Sequence, residues 1–395
     1  MNSLAEVYLW GTRIGYLQLK SDLPYAQFEY DKDFVSGIQG KGIELSPIKM
    51  PISNRIYEFP GLEESFHGVP GLIADSLPDK FGNAVINQWL ASRGKTEADF
   101  NVIDRLCYTG SRGMGALEYH PAKETDFTMN TAGLNYDQIA EECEKVLSSK
   151  SSDQLDVLYQ LGASSGGTRP KILLTESGRE WIVKFPAGKD PAISGKREYD
   201  YSLCAKDCGI TMTETALVNS SVCEGYFKTE RFDRKAGEKI FSATFAGLLE
   251  ADFRAPSCDY TTYMKLIRML TRENTADTEQ MYRVMCFNIL THNRDDHTKN
   301  FSFLYTKGGG WRLAPAYDLT YSDTYWGEQT TSVSGKGKDI SEEDFIKVGA
   351  NAGLSKALCR KIADEIKEKA ETLSRYLGNK KHRKATKMAP ADRIT

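Results

Sequence analysis

Apolar and polar positions alternate through residues 4–20 on either side of Gly11, so VYLW and IGYLQL read as two strands joined at that glycine. Strand-like pieces continue to about residue 60, and a stretch holding Pro60, Gly61, Pro70 and Gly71 interrupts them. The spacing then turns helical. In ADSLPDKFGNAVINQWLASRG, Val85, Ile86, Trp89 and Leu90 share one face. Asp75 or Ser76 is the candidate cap, Pro78 suits a first turn, and Gly94 ends the helix. Residues 132–148 predict a helix with Ile139, Cys143, Val146 and Leu147 inward. The polar SSKSSD, ending at Asp153, marks a boundary near 150.

Beyond it the pattern changes. LDVLYQLG is a short helix ended by Gly162, followed by a Gly/Ser-rich loop. The strands KILLT and EWIVKF meet at Ser177-Gly178, a helix spans about 197–208, and TETALV and GYFKTERF add further strands. From about 245 the chain is mostly helical, best formed at 278–292, where Met281, Val284, Met285 and Ile289 lie on one stripe. Ser341 opens SEED with capping-box spacing, and a last helix runs about 356–377.

Composition narrows the class. The 395 residues carry 51 Lys and Arg against 54 Asp and Glu, and 40% are apolar. That excludes a disordered chain and a dominantly basic nucleic-acid binder. The net charge of −3 conceals a tail, 380–395, with six basic residues and one acidic, so the remainder is near −8. The tail is either a DNA contact or a solvated end. Eight Cys are too few for a disulfide scaffold. Cys204 and Cys208 lie one helical turn apart and could pair on a metal, but their neighbours Leu203 and Ala205 favour core packing. The opening MNSLAEVYLWGTRIGY lacks a basic segment followed by an apolar one, and no run approaches a membrane span. A reduced, cytoplasmic protein with no membrane association is expected.

The densest chemistry lies in THNRDDHTKNFSFL, residues 291–304. Asp295 and Asn300 stand five apart after an amphipathic helix, as the base and a Mg²⁺ ligand do in a kinase catalytic loop. FSFLY, TKGGG and WRLAPAYDL then read as strand, tight turn and strand, which returns Asp318 toward Asn300. An amide and a carboxylate together suit Mg²⁺. In EWIVKFP, alternation puts Ile182 and Lys184 on one face and Val183 and Phe185 on the other. The order Gly-rich loop, strand lysine, then helix with Glu198 is that of a kinase nucleotide half. GASSGGTRPK fits neither G-x-x-x-x-G-K-[ST] nor G-x-G-x-x-G, yet Gly166 and Gly167 permit close backbone approach while Arg169 and Lys171 supply charge. Ser164 and Ser165 are candidate phosphorylation sites.

Together these segments resemble the HipA family of toxin kinases. ADSLPDKFG and RGMGALEY resemble its N-terminal domain, GASSGGTRPK its phosphate loop, and WIVKFP its ATP-lysine strand. KTERFDR resembles its interlobe segment, and DDHTKNFSFL and LAPAYDL its catalytic and metal loops. The resemblance implies an α+β, protein-kinase-like two-lobed core behind an N-terminal β-containing module. The divisions would be 1–150, a nucleotide lobe at 151–235, a helical lobe at 236–379, and the tail 380–395.

It also implies an ATP- and Mg²⁺-dependent serine/threonine kinase. Asp295 would be catalytic, Asn300 and Asp318 the Mg²⁺ ligands, and Lys184 the ATP lysine held by Glu198. Ser164, Gly167 and Lys171 fall on the family's S-x-x-G-x-x-x-K loop. This makes Ser164, with Ser165 as the alternative, the implied autophosphorylation site, whose modification switches the kinase off. Glu230 and Phe232 match the linker whose backbone meets adenine, and His297 and Lys299 join the nucleotide contacts. Asn293 and Arg294 precede Asp295, so the usual H-R-D is absent, and His297 stands where protein kinases commonly carry lysine. The implied partners are a HipB-type helix-turn-helix antitoxin, operator DNA through it, and a target in the translation machinery of the aminoacyl-tRNA synthetase class. A small-molecule kinase of similar fold and a non-catalytic co-repressor are the alternatives.

Overall fold

The chain first reverses at Trp10 and Gly11, whose φ angles of 49° and 73° suit a tight hairpin turn. This joins β1 (Leu4–Leu9) to β2 (Thr12–Leu19). β3 (Ala26–Tyr30), β4 (Ile56–Glu58) and β5 (Leu117–His120) complete an antiparallel sheet in the order β4-β3-β2-β1-β5. The computed structural model describes residues 1–37, 39–122, 135–161, 167, 169–188, 190–256, 258–323 and 327–377. Ser164, Ser165, Gly166 and the tail 380–395 lie outside the described residues.

Four helices fill the excursion between β3 and β5: α1 (Lys32–Ser36), α2 (Gly71–Ala74), α3 (Lys80–Ala91) and α4 (Val102–Thr109). The cap of α3 is Asp79, which accepts from the Gly82 amide at 2.8 Å, rather than Asp75 or Ser76. Asp75 instead closes α2, and Pro78 lies just outside α3. α5 (Tyr136–Leu147) and α6 (Leu155–Leu161) follow.

The second sheet holds β6 (Lys171–Glu176), β7 (Arg179–Lys184), β8 (Thr215–Val218) and β9 (Tyr226–Glu230) in the order β6-β7-β9-β8, all antiparallel. α7 (Ser194–Asp207) packs on β8 and β9. A two-residue ladder, β10 (Arg234–Lys235) and β11 (Glu238–Lys239), leads to β12 (Phe241–Thr244). β12 pairs with the expected hairpin, β13 (Ser302–Thr306) and β14 (Gly310–Leu313). The helical lobe comprises α8 (Phe245–Leu249), α9 (Tyr260–Leu270), α10 (Thr275–Leu290), α11 (Glu342–Asn351) and α12 (Lys356–Lys369). Ser341 and Asp344 form the capping box of α11. α12 gives way at Ala370 to a 3₁₀ turn, short of the expected 377.

The apolar core does not divide at the serine-rich link. One cluster runs from Leu9 and Phe28 of the first sheet through Phe241, Phe245 and Tyr305 to Met281, Met285 and Ile362. A second joins Phe81, Val85 and Ile86 of α3, Ile139 of α5 and Leu158 of α6 to Ile172, Val183 and Phe185 of the second sheet. Each fully buried side chain of this size contributes about 1.5–3 kcal/mol. The N-terminal module is therefore fastened to both lobes. Cys204 and Cys208 are buried free thiols. Among the described residues no group of three His, Cys, Asp or Glu is placed to hold a metal, and no helix is long and apolar enough to cross a membrane.

Candidate active site

A cavity of about 610 Å³ opens between the two lobes, with α3 and the segment before it as a further wall. Lys184 ends β7 and, with Ile182, points into the cavity, while Val183 and Phe185 turn into the core. Its Nζ lies 2.6 Å from Glu198 Oε1 in the second turn of α7, and it also pairs with Asp318. Burial pulls the Lys184 ammonium toward neutrality, but the Asp318 and Glu198 charges hold it protonated, above the usual lysine range. Asp318 follows β14 with φ 54°, a left-handed turn that brings its carboxylate back to the cleft. Burial would raise its pKa, but Lys184, Lys171 and Arg169 hold it at about 2.

The segment after α10 is held by hydrogen bonds to chain 33–36 residues downstream. Gln329 Nε2 donates to the Asn293 carbonyl at 3.1 Å, and Thr330 Oγ1 donates to the Arg294 carbonyl at 2.8 Å. Asp296, 1% exposed, accepts from Tyr260 Oη (2.8 Å), Gln329 Nε2 (3.1 Å) and the Thr331 amide (3.0 Å). This buried anchor turns the neighbouring Asp295 toward the cavity. Burial lifts Asp295 above the usual carboxylate range, while His297, whose Nε2 lies 3.7 Å from Oδ1, pulls it down. Asn300 Nδ2 donates to the Asp295 carbonyl at 2.6 Å, which leaves its Oδ1 as the acceptor facing other groups. Tyr317 ties this loop to the one carrying Asp318: it donates to the Lys299 carbonyl at 2.7 Å and shares a hydrogen bond with Ser302 Oγ at 2.7 Å.

Lys299, lowered by burial, stands 3.9 Å from the centre of the Phe253 ring. Glu230 and Phe232 line the far end. The Glu230 carboxylate takes Arg179 Nε at 2.8 Å, and Phe232 stands 5.3 Å from the Tyr317 ring. Gly167, at φ 96°, and Lys171 mark the loop's return into β6. The expected residues within the described chain thus converge on one cavity. Sequence reasoning missed Tyr317 and Asp79 as parts of it, and missed Asp296 as the buried anchor of the loop that carries Asp295. Asp79 had a local sign, a Pro-Asp pair opening a helix, and Asp296 stood beside Asp295 in the dense 291–304 segment, but nothing local gave it an anchoring role.

The linker Arg231-Phe232-Asp233-Arg234 is gripped by the RGMG turn of the N-terminal module. Asp233 accepts from the Gly115 amide at 2.6 Å, and Arg231 and Arg234 donate to the Gly113 carbonyl at 2.8 and 3.0 Å.

A model of the HipA-like C-terminal domain matches residues 163–373, and one of the HipA N-terminal domain matches residues 5–120. The chain belongs to the HipA family. HipA of Shewanella oneidensis MR-1, solved with HipB and its operator DNA, superposes with a TM-score of 0.69 over 98% of this chain and 92% of that one, at 18% identity. That likeness carries the fold: an α+β, kinase-like pair of lobes with an N-terminal module. A Sinorhizobium fredii protein named "Putative kinase Y4dM" is 28% identical over 210 residues, 49% of this chain and 51% of that protein. A Haemophilus influenzae protein named "Putative kinase" is 24% identical over 259 residues, 54% and 75% of the two chains. The matched stretch thus spans about half the length of the first of these relatives.

Proposed function

We propose that this HipA-family protein is an ATP- and Mg²⁺-dependent serine/threonine-protein kinase, the toxin of a HipA/HipB-like toxin–antitoxin pair. The convergence of Lys184, Glu198, Asp295, Asn300 and Asp318 on one interlobe cavity carries the reading. Lys184, braced by Glu198, binds the phosphates. Asp295 accepts the proton of the target hydroxyl, and its raised pKa makes it a better base than an exposed aspartate. Asn300 Oδ1 and Asp318 are hard-oxygen donors that would hold Mg²⁺, which neutralises phosphate charge when bound. In the free protein Lys184 balances Asp318. The backbone at Glu230 and Phe232 meets the adenine, and His297 and Lys299 reach the phosphate end. Pre-set charge supplies most of the rate.

Ser164, or Ser165 beside it, is the autophosphorylation site. The target is a protein of the translation machinery, of the aminoacyl-tRNA synthetase class. A HipB-like helix-turn-helix antitoxin binds the toxin and brings it to operator DNA, supported by the HipB and DNA in the Shewanella complex. Incubation with γ-labelled ATP and a cell lysate, read by mass spectrometry, tests this. Label on residues 162–171 and on a lysate protein is expected from the wild type and from neither in Asp295→Asn. Transfer by Asp295→Asn at the wild-type rate refutes the assignment.

A further inference from the structure

We propose that Asp79, in the N-terminal module, is a positioning residue for the phosphate site: it holds Lys171 as Glu198 holds Lys184. This rests on the kinase reading above. Lys171 and Lys184 are direct partners across the β6–β7 ladder. Side chains so paired stand on one face about 4.5–5.5 Å apart at Cβ, and two like charges there repel. Each ammonium therefore needs its own counter-charge. Lys184 takes Glu198, from its own lobe. Lys171 takes Asp79, with Nζ 3.2 Å from Oδ2 and both side chains about 5% exposed.

Asp79 is fixed for this work. Its Oδ1 caps α3 through the Gly82 amide, and α3 is locked by Phe81, Val85 and Ile86 against β6 and β7. Its Oδ2 is buried and accepts no hydrogen bond among the described residues, where what faces it is the Lys171 ammonium. On its other side Lys171 Nζ lies beneath Gly167 of the loop, where a Cβ would stand 2.8 Å away. The ammonium is thus set between a carboxylate of one domain and the backbone of another, at the rim of the cavity that Asp79, Gly167, Lys171 and Lys184 share. Without Asp79, Lys171 loses the one carboxylate in direct contact with it among the described residues, is left with the more distant field of Asp318, which Lys184 already engages, and swings away before nucleotide arrives. The N-terminal module thereby completes the phosphate site rather than only flanking it.

The test uses the full-length chain with the Asp79→Asn and Asp79→Glu variants. Asparagine is an equally good helix cap, so Asp79→Asn removes the charge while sparing α3. Binding of ATP·Mg²⁺ and of adenosine is measured by calorimetry, with KM and kcat for phosphate transfer. Asp79→Asn is expected to weaken ATP binding and raise its KM about 10-fold or more, the size of one lost charge-assisted contact. Adenosine affinity and kcat should stay near wild type, and Asp79→Glu should recover part of the loss. Equal weakening of ATP and adenosine means a merely structural role and overturns the inference, as does an unchanged or lowered KM for ATP. A wild-type chain that binds ATP but transfers no phosphate overturns the kinase reading while the binding comparison still decides Asp79. One that binds no ATP overturns both.

Discussion

Asp296 makes the stability of this protein depend on pH in a direction opposite to most carboxylates. The group is fully enclosed and faces Tyr260, Gln329 and Thr331, all neutral donors, with no cation among its hydrogen-bond partners in the described residues. Burial raises its pKa to about 7, and the three donors only partly offset this. Against an ordinary 3.8, ionising it inside the fold is disfavoured by ~4 kcal/mol. Between about pH 4 and 7 the folded chain therefore holds a proton that the unfolded chain releases. Stability contributed by Asp296 is whole below pH 4, falls as pH rises through that window, and is lost above about 7. Asp296→Asn removes the titration. Chemical unfolding of both proteins from pH 4.5 to 8 should show wild-type stability falling relative to Asp296→Asn by ~3 kcal/mol, whatever fixed offset the amide imposes at Thr331. A difference constant across this range refutes the reasoning, because it means that Asp296 ionises alike in both states.

Three further outcomes follow from contacts at the site's edges. Asp233→Ala leaves Arg231 and Arg234, buried beside the Gly113–Gly115 turn, with only the half-buried Glu180 at 3.4 and 3.3 Å as counter-charge, and should lower unfolding stability by up to ~3–5 kcal/mol, seen as an earlier thermal transition. Tyr317→Phe frees the Lys299 carbonyl from its donor and loosens the catalytic loop; kcat should fall ~10-fold with KM for ATP little changed, and an unaltered kcat contradicts the tie. Glu198→Gln keeps the shape of its side chain but withdraws charge from Lys184, so KM for ATP should rise ~10–100-fold in steady-state assays.

Much of the cleft was legible because its parts are local. Lys184 follows from strand alternation, and the Asn300-to-Asp318 return follows from a hairpin whose Gly turn sits between two apolar strands. α10 was placed within three residues of its observed ends because its apolar residues recur at helical spacing. Charge pairs between distant segments leave no such trace. The Asp79–Lys171 pair joins residues from different modules, and the downstream donors to Asp296 come from a segment without regular structure. A Pro-Asp pair before an apolar helix reads equally well as a cap, which it is, and as nothing more, which it is not. The misplaced α3 cap has the same origin: Asp75 was a plausible cap, but its carboxylate is engaged by the amide and hydroxyl of Thr244.

The grouping of these long-range contacts has a physical reason. A cleft that collects phosphates needs several cations close together, and a protein can keep them there only by burying an acid beside each. Lys184 and Lys171 stand opposite one another on adjacent strands, and α7 can serve only one of them. The second acid comes from outside the kinase-like lobes, and its carrier must be rigid relative to the sheet. The shared core of α3, α5, α6, β6 and β7 supplies that rigidity, and the Asp233 clamp repeats it at the linker. Loosening the α3 contact should therefore weaken phosphate binding before it unfolds anything. Val85→Ala, a buried truncation on α3, should raise KM for ATP at temperatures where the circular dichroism is still that of the folded chain. If KM rises only as the protein unfolds, the N-terminal module is holding the fold together and not the phosphate site.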